Sequence, residues 1–214
     1  MYNTQDILRR LADFYGPRAW QSRNEPLKEL IQTVLAQHTT DLNAERSFDA
    51  LWLRFGSWQT ITNATVDAIA ETIQSGGLAR QKAPRIKAIL TEILQRRGDY
   101  ALNFLQALPF NEALAWLTSL HGVGPKTARC VLLFALGMPC IPVDTHVHRV
   151  AGRLGLIGAK TSADQAHDVL EKMVGSEDAY RFHVYLIEHG RKVCKAPRPH
   201  CAECPLQEGC PSRI

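Results

Sequence analysis

An all-α fold follows from three features of the sequence. Apolar residues recur at helical spacing in almost every segment, capping residues and glycines separate those segments, and no run alternates convincingly at the two-residue period of a strand. The 214 residues suffice for one large domain or for two small ones that share an interface.

Ile7, Leu8, Leu11 and Phe14 form the apolar face of the first helix. Leu27, Leu30, Ile31, Val34 and Leu35 mark the second, behind Pro26, which is favoured in a first turn. Thr40 or Asp41 caps a third that carries Phe48, Leu51 and Trp52, and Thr65 caps a fourth that stops at Gly76-Gly77. Ile86, Ile89, Leu90 and Ile93 define a fifth. Leu114 and Leu117 predict a short helix ending near Leu120, after which Gly122 and Gly124 impose a tight turn before the apolar run from Ala128 to Leu136. Pro139 and Pro142 interrupt the pattern. Thr145 and Thr161 are the expected caps of two more helices, and a last one spans roughly Ala179 to His189 with Gly190 as its stop.

Composition narrows the class. Apolar residues at 45% and charged residues at 21% exclude a disordered chain. Met1 to Arg10 lacks the apolar stretch of a signal peptide and no segment approaches bilayer length, so the expectation is a cytoplasmic protein, nucleoid-associated if prokaryotic, with no membrane partner. The net charge of +4 permits an anionic partner without requiring one. From His189 to His200 every charged residue is basic (Arg191, Lys192, Lys195 and Arg198), which places a positive patch around Cys194.

Cys194, Cys201, Cys204 and Cys210 are spaced C-x6-C-x2-C-x5-C. Four thiolates at this density can surround zinc or an iron–sulfur cluster. Structural zinc sites usually join two short C-x2-4-C pairs, and here only Cys201 and Cys204 make one, so the spacing favours a cubane cluster. A disulfide framework fits poorly with the missing export signal. Cys130 and Cys140 lie upstream and read as core packing.

Two further positions carry chemistry. Leu120-His121-Gly122-Val123-Gly124-Pro125-Lys126 reads as helix, tight turn, helix, a device whose backbone N–H groups can approach a phosphate. It is equally an ordinary packing turn. Lys126 falls in the first turn of the second helix, where the dipole disfavours a cation; it is either a solvated lysine or an amine with a lowered pKa, able to act as a nucleophile. Asp144 follows the apolar approach Ile141-Pro142-Val143 at a helix entrance, fitted both to cap a helix and to stabilise positive charge developing on a sugar.

Taken in order, the hairpin Leu120 to Gly124, Lys126, Val143-Asp144-Thr145-His146 followed by Arg149, and the cysteine spacing resemble the helix-hairpin-helix DNA glycosylase superfamily, above all its endonuclease III branch. These motifs cover the C-terminal half. Leu35-Ala36-Gln37-His38-Thr39-Thr40-Asp41 and Gly77-Leu78 look like the family's glutamine-bearing segment and leucine-bearing loop.

The resemblance implies two helical domains: a six-helix barrel module at about residues 19–138, and a discontinuous domain of residues 1–18 and 139–214 with a [4Fe-4S] cluster loop over 194–210, the active cleft lying between them. It implies a bifunctional DNA glycosylase and AP lyase of base excision repair, monomeric, acting on double-stranded DNA that carries a damaged base or an abasic site. Lys126 and Asp144 would be catalytic. Gln37 and Leu78 would fill the gap left by a flipped base. Leu120, Gly122, Val123, Gly124, His146, Lys195 and Arg198 would hold DNA, and the four cysteines the cluster.

The chain departs from the best-known bacterial pattern twice. Gln37 is followed by His38-Thr39-Thr40 instead of Ala-Thr, and Pro125 replaces an arginine before Lys126. Oxidised pyrimidines are the expected substrates, with mismatched uracil or thymine as the alternative. A catalytically weak DNA-binding paralogue is a further reading, against which Lys126 and Asp144 both argue. A zinc-stapled interaction protein is another, and it predicts a colourless preparation.

Overall fold

Helix boundaries follow capping chemistry throughout. The computed structural model describes residues 1–22 and 25–213, and all regular secondary structure among them is helical. The α-helices are α1 (Thr4–Tyr15), α2 (Pro26–Leu35), α3 (Asp41–Phe55), α4 (Trp58–Asn63), α5 (Val66–Thr72), α6 (Ala79–Arg97), α7 (Phe110–Thr118), α8 (Pro125–Cys130), α9 (Thr145–Arg153), α10 (Ala163–Met173) and α11 (Ala179–Lys192). Thr40 caps α3 by accepting from the Asn43 N–H, and Thr65 caps α5 through the Ala68 N–H. No helix among the described residues is long and apolar enough to cross a membrane.

Four expectations need correction. Asp144, not Thr145, caps α9: its carboxylate accepts from the N–H groups of both His146 and Val147, two donors that a hydroxyl at Thr145 would not reach. Ser162, not Thr161, caps α10, because Gln165 three residues later completes a capping box. Gly190 does not end α11, which continues to Lys192. A Cβ at Gly190 would lie 3.0 Å from the His146 Cβ and 3.1 Å from Arg149 Nη2, so this glycine lets α11 approach α9 closely. Finally, α4 was not expected, since six residues with only Ile61 and Thr62 buried are too few to show a period.

The chain divides into two compact units, Ser22–Met138 and Met1–Gln21 with Pro139–Ile214. In the first, α2 is the central element. Leu27, Leu30, Ile31, Val34 and Leu35 are fully buried, and the helix packs on α3, α6 and α8. Helix α8 runs into a π-helical turn, Val131–Ala135, that also packs on α2.

In the second unit the N-terminal helix joins a core built almost entirely from the other end of the chain. Ile7, Leu8 and Leu11 of α1 cluster with Val147 and Val150 of α9, Leu170 of α10, and Phe182 and Leu186 of α11. Each such burial stabilises the unit by roughly 1.5–3 kcal/mol. Polar bonds fix the register: Gln5 Nε2 donates to Asp178 Oδ2 at 2.7 Å, and the Tyr185 hydroxyl donates to the Gly16 carbonyl at 2.8 Å. Burial alone would raise the Asp178 pKa, but hydrogen bonds from Gln5 and Arg181 and the Arg181 charge outweigh it and hold the carboxyl below its ordinary value.

Candidate functional site

The hairpin between α7 and α8 is built from two buried anchors and two exposed glycines. Leu120 and Val123 face the interior, and the Val123 N–H closes the turn on the Leu120 carbonyl at 3.0 Å. Gly122 holds a φ of +79°, which a side chain would strain. The N–H groups of Gly122 and Gly124 make no bond among the described residues, so they remain available to an acceptor from outside. Lys126 follows at the second position of α8, half-buried, and its amine has no hydrogen bond or ion pair among the described residues.

Asp144 is held far more tightly. Its Oδ1 accepts from His146 N at 2.8 Å and Val147 N at 2.7 Å, while Oδ2 takes no part in the cap. The extended run before it is braced from two helices. On α10, Glu171 Oε1 accepts from the Ile141 N–H at 3.0 Å, and His167 Nδ1 lies 2.8 Å from the Ile141 carbonyl. On α11, His183 Nδ1 lies 2.8 Å from the Pro142 carbonyl. A carbonyl only accepts, so His183 Nδ1 carries its proton there, whereas His167 Nδ1 lies between the Ile141 carbonyl and the Val143 N–H, which donates to it at 3.2 Å. Buried histidines thus satisfy backbone groups that Pro142 and the absence of regular structure would otherwise strand.

Gln37 and Leu78 lie at the ends of elements joined by a buried lysine. Lys82, only 2% exposed, donates to the Leu35 carbonyl at 2.6 Å and the Gly76 carbonyl at 2.8 Å. Burial lowers its pKa. It therefore ties the end of α2, next to Gln37, to the turn that delivers Leu78. The two non-glycine residues with positive φ among the described residues sit at these same places: His38 at 54° and Leu78 at 50°. Left-handed backbone costs such residues of order 1–3 kcal/mol, a cost often found at functional segments. Leu78 leaves 43% of its surface exposed despite being apolar.

The four terminal cysteines line one small cavity together with Val150, Arg153, Leu154 and His189. Among the described residues no group of three His, Cys, Asp or Glu side chains is placed to hold a single ion. Burial, followed by the nearness of the other cysteines, pushes the Cys204 thiol up to about 11, and Cys210 is raised in the same way. A cationic centre would relieve that resistance to ionisation. N–H groups already face the sulfurs: Arg153 Nη1 lies 3.3 Å from Cys194 Sγ, and the Leu206 N–H 3.4 Å from Cys204 Sγ. In donor set and surrounding N–H donors, the residues fit a four-thiolate cluster.

Two arginines of α9 hold the start of this loop. Arg149 Nε donates to the Cys194 carbonyl at 3.1 Å and its Nη2 to the Gly190 carbonyl at 2.8 Å. Arg153 donates to the Lys195 and Ala196 carbonyls at 2.7 and 2.9 Å. Lys195 and Arg198 are left exposed on the loop. His146 is half-buried, and its Nδ1 accepts from Arg149 Nη2 at 3.1 Å.

Sequence reasoning missed Arg153, His183 and Lys82. Lys82 had a readable signal, since it stands four residues before Ile86 on the same face as Ile89 and Ile93, where an apolar residue is expected. Arg153 follows Arg149 by one helical turn, but its target, a carbonyl row more than 40 residues away, leaves no local trace.

Residues 31–175 match the family model of the HhH-GPD superfamily of base excision DNA repair proteins. An endonuclease III of Thermotoga maritima is 32% identical over 186 residues, covering 87% of this chain and 83% of that protein. An Arabidopsis thaliana protein named as a DNA glycosylase is 34% identical over 177 residues, and the match spans 83% of this chain but 60% of that longer relative. A solved structure of a trapped endonuclease III–DNA covalent intermediate superposes with a TM-score of 0.85 at 29% identity, covering 99% of this chain and 97% of that one. A thermostable thymine-DNA glycosylase shares the fold, with a TM-score of 0.80 at 19% identity. The chain belongs to the helix-hairpin-helix superfamily of base excision DNA repair proteins and, within it, to the endonuclease III family.

Proposed function

We propose that this DNA glycosylase and AP lyase removes damaged pyrimidines from double-stranded DNA, with Lys126 as nucleophile and Asp144 as its electrostatic partner. The observation that carries the reading is the contrast between an amine with no internal partner, behind a hairpin that offers free N–H groups, and a carboxylate fixed by a helix cap with one oxygen to spare.

The hairpin N–H groups at Gly122 and Gly124, with Lys195 and Arg198 on the cysteine loop, bind backbone phosphates. The damaged nucleotide leaves the stack, at a lower cost than an intact one, and Gln37 and Leu78 take its place. The nitrogen lone pair of Lys126 attacks the anomeric carbon, and the base departs with the electron pair of the glycosidic bond. Asp144 stabilises the positive charge that builds on the sugar. Loss of a proton from nitrogen and opening of the ring give a Schiff base between Lys126 and the sugar, from which elimination of the 3′ phosphate breaks the strand.

Cys194, Cys201, Cys204 and Cys210 hold a [4Fe-4S] cluster, whose part is to shape the loop that bears Lys195 and Arg198. With Cys204 ionised as a ligand, His189 donates to its sulfur from Nε2, 3.4 Å away, and accepts from the Tyr15 hydroxyl at Nδ1, 3.0 Å away. Burial lowers the His189 pKa to about 4, which keeps the ring neutral for that role.

Duplexes carrying thymine glycol, uracil opposite guanine, or an abasic site test the function. Strand cleavage at the abasic site with release of one or more of the bases is expected. Base release without cleavage would assign a glycosylase that activates water and remove Lys126 from its role.

A further inference from the structure

Arg85 of α6 connects two segments that the proposed reading places on DNA. Its Nη1 donates to Gln37 Oε1 at 2.6 Å. Its stem lies over the hairpin: a Cβ built on Gly122 would meet Arg85 Nε at 2.6 Å and Cδ at 2.7 Å. Gly122 therefore provides the space in which Arg85 lies, and Arg85 is anchored by packing at one end while its guanidinium reaches Gln37 at the other. The Lys82 clamp on Leu35 and Gly76 fixes the backbone on either side.

The chemistry of this contact decides the orientation of the Gln37 amide. A guanidinium has only donors, so the atom facing it must be the amide oxygen. The Nε2 group then points away from Arg85 with both hydrogens unspent, and it has no partner among the described residues. We infer that Arg85 is a positioning residue that locks Gln37 as a donor-only wedge, making the enzyme's grip on the orphaned strand tolerant of the base opposite the lesion. The inference rests on the reading of Gln37 as a wedge.

Tolerance follows from the groove edges. In the minor groove, the side from which such wedges enter, every base presents an acceptor, and guanine alone sets a donor beside it. An amide whose oxygen is already engaged can use the shared acceptor and nothing else. An amide with a free oxygen could also accept from the guanine amine, and the contact would become selective.

The test is binding by fluorescence anisotropy, at one fixed salt concentration, to duplexes in which a tetrahydrofuran abasic analogue stands opposite adenine, guanine, cytosine or thymine. Wild type is expected to bind all four within about threefold, a spread below that of a bidentate base contact. Arg85→Met keeps a stem over Gly122 but frees the amide. Its preference for orphan guanine over the other three should rise about tenfold, within the range of one bidentate contact. Arg85→Lys retains a donor and should restore the flat ranking. Loss of a cation weakens binding to all four duplexes together, so the ratio is the readout and is unaffected by a uniform change.

Gln37→Ala distinguishes the wedge from its positioning by Arg85. If it leaves all four affinities unchanged, Gln37 is no wedge and the inference falls with that reading. If Gln37→Ala weakens binding while Arg85→Met shifts the four affinities equally, the wedge stands and the role of Arg85 is refuted. A wild-type spread beyond tenfold would also overturn it.

Discussion

Lys126 and Asp144 are the two residues assigned to the chemistry, and the protein holds them in opposite ways. Asp144 is fixed by two backbone N–H groups on one oxygen, at the end of a segment braced by Glu171, His167 and His183. Lys126 has a rigid backbone at the start of α8 but an amine with no partner among the described residues. A group that stabilises developing charge gains from being preorganised, since no reorganisation is then needed during reaction. A nucleophile that must follow a carbon from attack to Schiff base gains from reach. The contrast matches rigidity to the task proposed for each residue.

The largest expected effect comes from the unpartnered amine. Lys126→Gln should lower the rate of abasic-site cleavage by a factor on the order of a thousand or more in single-turnover assays, with duplex affinity little changed. The fixed half can be divided more finely. Asn caps a helix as well as Asp does, so Asp144→Asn should keep thermal stability within about 0.5 kcal/mol while the rate falls by about a hundredfold. Asp144→Ala should lose a similar rate and also about 1 kcal/mol of stability. Equal rates for wild type and Asp144→Asn would reduce Asp144 to a cap.

A smaller effect belongs to the brace of the cysteine loop. Arg153→Met removes the donors to the Lys195 and Ala196 carbonyls and should weaken duplex affinity by about tenfold, leaving the rate on saturating DNA unchanged. The smallest concerns the tie between α1 and α11. Because the folded Asp178 carboxyl lies below its ordinary value of 3.8, its contribution is complete above that value and disappears as the pH falls through the folded one. As the pH falls below 3.8 wild type should therefore lose more stability than Asp178→Asn, as followed by thermal unfolding.

The parts legible in the sequence were those written in local spacing. Helical periodicity, the Gly122–Gly124 turn and the four cysteines all concern residues within a few turns of each other. The braces were not legible, because a side chain that serves a distant carbonyl has no fixed spacing from it: His183 is 41 residues from Pro142, and Arg85 is 48 from Gln37. The misplaced caps at Thr145 and Thr161 have a different origin. Adjacent residues, Asp144 and Ser162, were also good caps, and only the bonds to Val147 and Gln165 decide between them. The backbone strain at Leu78 has no sequence mark, since leucine does not favour positive φ, and His38 gives only the weak signal of a residue type enriched there.

The central claim is that the Lys126 amine bonds to the sugar. Borohydride reduction of a reaction on an abasic-site duplex, followed by proteolysis and mass mapping of the cross-linked peptide, tests it most directly. One reduced adduct is expected, carried on Lys126. An adduct on another residue, or cleavage that proceeds with none, would contradict it.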